Sequence, residues 1–233
     1  MLDMRSSTDV RAQRASLVGD AYGALKEAIR NNTFAPGYQG SEQEIATQLG
    51  MSRTPVHEAI IRLQEEGLVR VLPRRGVVVS VISPNDMREI YEVIIALETA
   101  SSELLAEKPK NERDPIVKEL NDVNAQMQAA LAADDLDDWA KGDERFHQLL
   151  VERCGNGRFA RMFQTIMDQS HRARTLTLRL RPKPTTSVRE HQAIIDAIQQ
   201  GDAVLARERA KHHRTSARDL LLPLLSQLGM KHL

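Results

Sequence analysis

Four side chains with metal-ligating chemistry recur at helical spacing in the second half of the chain. Asp143 and His147 are four residues apart within Trp139-Ala140-Lys141-Gly142-Asp143-Glu144-Arg145-Phe146-His147-Gln148-Leu149-Leu150. On a helix they lie one above the other, on the face that also carries Trp139 and Leu150. His191 shares a face with Ile194, Ile195 and Ile198. His213 falls on a stripe with Ala206, Ala210, Ala217 and Leu224, whereas neighbouring His212 lies about 100° round the helix, toward water. One carboxylate and three imidazoles turned toward one interior form a donor set for Zn²⁺, Ni²⁺, Mn²⁺ or a similar divalent ion. A lone inward histidine is more often a hydrogen-bonded core residue, and Asp-x₃-His arises by chance. On spacing alone both readings stand.

A second chemistry sits in the first half. Ser52-Arg53-Thr54-Pro55-Val56-His57 opens a short helix with small hydroxyls, an arginine and an imidazole. Such a turn suits phosphate oxygens and base edges of duplex DNA: Arg53 can donate two hydrogen bonds to guanine, Ser52 and Thr54 can meet phosphates, and His57 reaches a base or the backbone. Arg62, further along the same helix, joins this candidate set. Leu72-Pro73-Arg74-Arg75-Gly76 offers two arginines and a small residue at a hairpin tip, the composition of a wing approaching the minor groove. The alternative is a protein-binding module in which these arginines are ordinary surface charges.

The elements that must position these groups are legible from caps and periodicity. Leu17, Ala21, Leu25 and Ile29 predict a helix over Leu17–Asn31, broken at Phe34-Ala35-Pro36-Gly37, and residues 1–14 read as a mobile arm. Ser41-Glu42-Gln43-Glu44 is a capping box opening a helix over Glu42–Leu49 that stops at Gly50. Ser52 caps the next, running through Val56, Ile60 and Leu63 to Gly67. Val69-Arg70-Val71 and Val77-Val78-Val79-Ser80 read as a hairpin. Two short helices and a hairpin make a winged helix-turn-helix over residues 15–82. Ser83 and Pro84 then open an all-helical remainder, residues 83–233. Ile90, Ile94, Leu97, Ser101 and Leu105 mark its first helix, and five more are expected at about 113–132, 135–154, 157–180, 186–200 and 202–226. The fold class is mainly α: a winged helix-turn-helix followed by a helical bundle able to hold a small-molecule or metal site.

Composition narrows the functions. The chain has 233 residues, with 32 Lys and Arg against 32 Asp and Glu, so bulk positive charge cannot hold nucleic acid and any basic surface must be focused. Aromatics are 3%, too few for a single-strand stacking platform. No apolar run approaches the ~18–20 residues of a membrane span. Met1–Ser16 lacks the apolar stretch of a signal peptide. The single Cys154 cannot form an internal disulfide, in keeping with a reducing, cytoplasmic setting.

From Ser41 to Ala59, with Ser52-Arg53-Thr54-Pro55-Val56 at its centre, and on through Glu66-Gly67-Leu68-Val69 to Arg75-Gly76-Val77, the sequence resembles the GntR family of bacterial transcription regulators. The second half is similar to the FCD effector domain of that family's FadR-like branch. The resemblance implies a homodimer on double-stranded DNA, and a divalent ion held by Asp143, His147, His191 and His213. It also implies a small organic acid as effector, met by the metal and by arginines. This chain departs from the pattern at His57, where Arg is usual, and at Gln43, where a basic or small residue is usual; His57 would make DNA binding sensitive to pH. In the first bundle helix Ile94 stands where the family often has arginine, which makes the pocket more apolar. Arg174, sharing a face with Phe163, Met167 and Ser170, is a substitute, unless Arg172, Arg174, Arg179 and Arg181 are a solvated run.

The expected function is a ligand-responsive regulator rather than an enzyme. A metal-dependent hydrolytic enzyme would need a general base, and Glu144 lies ~100° round the helix from Asp143. Cys154, at a helix end, is read as structural. A metal-clamped protein-interaction module is the remaining alternative.

Overall fold

The computed structural model describes residues 4–227, with side chains for 15–171 and 173–227. The chain divides into two compact units, one up to Ile82 and the other from Ser83.

In the first unit α1 (Met4–Arg30) is followed by β1 (Gln39–Gly40), α2 (Glu42–Leu49), α3 (Arg53–Glu65), β2 (Val69–Leu72) and β3 (Gly76–Val79). α1 extends back into the stretch read as an arm, and residues 1–3 lie outside the described residues. Ala21, Leu25 and Ile29 are buried as the stripe predicts, but Leu17 is half exposed, so the core begins one turn later than expected. They pack with Ile45, Val56, Ile60 and Leu63, placing α1 across the helix pair. Each fully buried aliphatic chain contributes roughly 1.5–3 kcal/mol.

The capping box is formed on both sides: Glu44 N donates to Ser41 Oγ at 3.2 Å, and Ser41 N to Glu44 Oε2 at 2.7 Å. Ser52 occupies the N-cap position of α3, but its side chain makes no capping hydrogen bond. The hairpin is part of a three-stranded antiparallel sheet in the order β1-β3-β2, with Gln39 opposite Val78 and Val69 opposite Val79. The two-residue β1 was not legible in the sequence. Its partner explains Gly76: φ is +87°, and a Cβ there would lie 2.4 Å from the carbonyl oxygen of Gly40. The glycine expected to let the wing near DNA is required by the sheet itself.

The second unit contains α4 (Pro84–Glu107), α5 (Lys110–Ala132), α6 (Leu136–Arg153), α7 (Gly157–Leu178), α8 (Thr185–Gln200) and α9 (Ala203–Gln227). Ser83 and Asp86 form a reciprocal cap with Pro84 at the first helical position. α5 starts a turn earlier than the periodicity predicts, leaving Pro115 inside it. The core runs through Leu105, Leu120, Met127, Phe146, Leu150, Ile194, Ile198, Ala206 and Ala210. On α9 the buried leucines are Leu221 and Leu225 rather than Leu224. α6 approaches α5 closely at Gly142, where a Cβ would fall 2.6 Å from Met127 Cγ. None of the helices among the described residues is long and apolar enough to cross a membrane.

Candidate metal centre and nucleic-acid interface

Asp143 and His147 on α6, His191 on α8 and His213 on α9 are all buried, and one ligand atom from each lies within 4.8 Å of the others. Three imidazole Nε2 atoms converge: His191 to His213 at 3.0 Å and His213 to His147 at 3.3 Å. Asp143 Oδ1 lies 3.6 Å from His147 Nε2 and 3.7 Å from His191 Nε2. A tetrahedron with ~2.0–2.1 Å bonds has edges of roughly 3.3–3.4 Å, the middle of this range. His212 is exposed, as the helical phase predicts.

The surrounding hydrogen bonds orient the rings. His147 Nδ1 donates to Glu98 Oε2 at 2.9 Å and His213 Nδ1 to Glu190 Oε2 at 2.7 Å. With their protons on Nδ1, both rings turn an Nε2 lone pair inward. Burial, then the neighbouring His213 and His147, holds His191 well below the ordinary histidine range, and burial likewise lowers His213. Three imidazole nitrogens and one carboxylate oxygen converging in a buried space are the donors that a divalent cation takes, so the donor set fits a divalent metal ion. His191 stacks on Phe146 at a centroid distance of 4.0 Å, and its buried Nδ1 has no partner among the described residues. Asp143 is ionised: burial raises its carboxyl, but His147, followed by Arg174, outweighs this and holds it well below the usual range. Arg174 Nη2 takes Asp143 Oδ2 at 2.5 Å, leaving Oδ1 to face the imidazoles.

Sequence reasoning missed the supporting shell. Glu98 and Arg214 form a buried ion pair, Arg214 Nε donating to Glu98 Oε2 at 2.8 Å. Burial pushes the Glu98 carboxyl up, but the Arg214 charge and then its contact with His147 bring it to about 2. A signal existed for Glu98: it lies beside Leu97 on the apolar stripe of α4, where a charge must have a partner. Glu190 and Arg214 adjoin histidines already singled out, but nothing in their spacing says which of them turns inward.

Beside the centre is a cavity of about 660 Å³, within the usual range for small-molecule sites. Asp143, His213 and Arg174 lie on its wall, with Tyr91, Trp139 and Arg181. Arg174 is therefore where the pocket reading needs it, although Asp143 already engages it. Ile94 is fully buried and does not line the cavity; Tyr91, three residues earlier on the same helix, does. Arg179 belongs to the solvated run, paired with Asp137 at the surface, whereas Arg181 turns in. Glu144 stays apart from the four ligands, but it pairs with His171 at 3.0 Å and forms part of the wall. Cys154 is buried and donates from Sγ to Val151 O at 3.1 Å.

In the first unit Ser52, Arg53, Thr54 and His57 are exposed together at the start of α3. Glu42 of α2 holds two of them, accepting from His57 Nδ1 at 2.7 Å and from Arg53 Nε at 3.2 Å. The His57 hydrogen bond is the main cause that lowers the Glu42 carboxyl. Sequence reading did not single out Glu42. Its Arg53 contact leaves both terminal nitrogens of the guanidinium for a ligand. Arg62 is exposed further along α3, with its guanidinium 4.0 Å over the Tyr22 ring of α1. Arg74 and Arg75 are exposed at the hairpin tip, Arg74 with φ of 63°, and Gln39 Nε2 donates to Arg75 O at 2.7 Å. Gln43 is exposed on α2.

A winged helix-turn-helix joined in one chain to a helical unit with a cavity beside a buried Asp-His cluster defines a DNA-binding transcription regulator. Residues 17–79 match the bacterial regulatory proteins of the gntR family, and residues 89–216 match the FCD domain. An uncharacterised HTH-type transcriptional regulator in the TAR-I ttuE-ttuC' intergenic region of Agrobacterium vitis is 54% identical over 137 residues, which are 59% of this chain and 80% of the relative. The HTH-type transcriptional repressor RspR of Escherichia coli K12 is 30% identical over 185 residues, 78% of this chain and 80% of the relative. In fold, the chain is similar to the crystal structure of a putative GntR transcriptional regulator from Rhodococcus sp. RHA1, with a TM-score of 0.73 at 23% identity, covering 89% and 98% of the two chains. The chain belongs to the GntR family of transcription regulators, in the branch with an FCD domain.

Proposed function

We propose that this regulator is a cytoplasmic homodimeric repressor that reads a two-fold operator with residues 15–82. Residues 83–233 would carry dimerisation and sense a small organic acid beside a divalent transition metal. The convergence of three Nε2 atoms on one point, two of them with Nδ1 anchored by carboxylates, carries the metal reading. Asp143, His147, His191 and His213 would hold the ion. Bound there, it would tie α6, α8 and α9 together and offer coordination positions beyond the four protein donors to an acid.

The chain's own residues do the rest. Arg174 fixes the Asp143 carboxylate and faces the cavity, where it can share a second acid group. Glu98 links the His147 ring to α4, the helix separated from β3 by the four residues 80–83, so a shift at the centre has a short covalent path to the DNA-binding unit. At the other end, Arg53 and His57, ordered by Glu42, meet base edges and phosphate in the major groove, with Arg75 on the backbone. Dimerisation is needed because one recognition helix supplies few base contacts.

The deciding experiment combines elemental analysis of the purified protein with operator titrations, with and without organic acids. One transition metal per chain and an acid-dependent change in operator affinity are expected. Protein that binds operator and acid equally well after complete chelation overturns the reading. So does an acid whose binding leaves operator affinity unchanged, because coupling between the two sites must be reciprocal.

A further inference from the structure

We propose that Arg181, at the α7–α8 end of the cavity, forms a second anion subsite, so that the effector carries two acidic groups rather than one. The inference rests on the reading of this cavity as an acid-sensing pocket and names the class of acid.

Charge accounting on the wall leads to it. Asp143 is paired with Arg174, Lys183 with Asp134 and Arg214 with Glu98, while Glu190 and Glu144 are hydrogen-bonded by the imidazoles of His213 and His171. Arg181 differs. Among the described residues its recorded partners are two backbone carbonyls, Arg174 O at 3.0 Å from Nη2 and Thr177 O at 3.4 Å from Nε. Those bonds aim the guanidinium without neutralising it. A half-buried arginine cannot shed its proton, so its charge calls for an anion. Burial, with the neighbouring Arg174, lowers its proton affinity, and Tyr91 and Asp143 offset this only in part.

The surroundings suit the same ligand. Pro184, Thr185, Thr186 and Ser187, the cap and first turn of α8, also line the cavity. That helix has no side-chain cap and no acidic residue in its first turn; Thr185 N and Ser187 N donate to the carbonyls of Lys183 and Pro184, and the positive end of the helix dipole faces the cavity without a carboxylate of its own first turn. Trp139 lines the same space, and its buried indole N–H has no partner among the described residues. An acid held at the metal by one group and reaching Arg181 with the other spans the cavity. A monoacid leaves Arg181 unmatched. The second group can be a carboxylate or a phosphate-type anion, since both accept the same donors.

The test is calorimetry on the zinc-loaded full chain with butyrate, pentanoate, succinate, glutarate and 3-phosphonopropionate. Diacids should bind about tenfold or more tightly than monoacids of the same carbon count. Arg181→Gln should erase that preference while leaving monoacid affinity and zinc content unchanged, and Arg181→Lys should keep much of it. The order of succinate and phosphonopropionate identifies the second group. Equal affinities for mono- and diacids in the wild type, or an equal loss of both in Arg181→Gln, overturns the second subsite while the acid-sensing reading survives. If no acid binds the zinc-loaded protein, the acid-sensing reading fails and the subsite falls with it.

Discussion

Replacing Glu98 by Gln isolates the buried charge on which the centre leans. Glu98 is 1% exposed and accepts from Arg214 Nε at 2.8 Å and from His147 Nδ1 at 2.9 Å. Gln keeps the volume and an acceptor but removes the charge, stranding Arg214, itself 2% exposed, with no counter-ion. Taking one partner from a buried pair costs about 3–5 kcal/mol, a large share of the ~5–15 kcal/mol that holds a domain together. Arg214→Met should cost less, because a stranded carboxyl can take up a proton and a guanidinium cannot lose one. The double variant Glu98→Gln/Arg214→Met should be less destabilised than the sum of the singles, with a coupling of about 2 kcal/mol or more. Urea unfolding of the full chain in excess chelator removes metal from the comparison. The chain has one tryptophan, Trp139 in the bundle core, so its fluorescence reports that unit alone. A Glu98→Gln protein within about 1 kcal/mol of wild type, or singles that simply add, would refute the reasoning.

Other perturbations separate the two units. His213→Ala should strip the metal and lower the melting temperature of metal-loaded protein, since an ion at 100 times its Kd adds about 2.7 kcal/mol to the folded state; His212→Ala should do neither, and equal metal loss in both is the contrary result. Arg53→Ala should cost on the order of 1–3 kcal/mol of operator affinity and relax preference at one base per half-site, whereas Arg75→Ala should weaken all sequences alike and lower the salt slope by about one phosphate contact. Unchanged specificity in Arg53→Ala would remove it from base readout. Glu42 has a depressed folded-state carboxyl, first through His57 and then Arg53, so its contribution is present above the unfolded value of ~4.3 and is lost as pH falls through the lower folded one. Between pH 5 and 3 the wild type should therefore lose more stability in urea titrations than Glu42→Gln, by up to about 1 kcal/mol; parallel pH profiles would contradict this. Gly76→Ala should destabilise the first unit by forcing β1 off β3, and hydrogen exchange at Gly40 and Val78 checks it.

Local chemistry determined most of the architecture in advance. The Ser41 and Ser83 capping boxes, the glycine stop after α2 and the apolar periods place α2 to α9 within a few residues, because caps and stripes act over one or two turns. The metal donors were legible for the same reason: Asp143 and His147 share a helical face, and the phase of α9 separates His213 from His212 without reference to any other element. What the sequence could not determine was everything requiring two distant segments at once. The β1–β3 pairing that makes Gly76 obligatory joins residues far apart in the chain, and a two-residue strand has no periodicity to read. The Tyr22 ring that α1 lays beneath Arg62 is another pairing that local spacing does not announce. The four arginines near the end of α7 are one basic run in the sequence. Packing sends Arg174 to Asp143, Arg179 to Asp137 at the surface, and Arg181 to the cavity wall, hydrogen-bonded to two backbone carbonyls. Burial makes that sorting, because which charge loses its water depends on the helix packed opposite, and no local spacing encodes it.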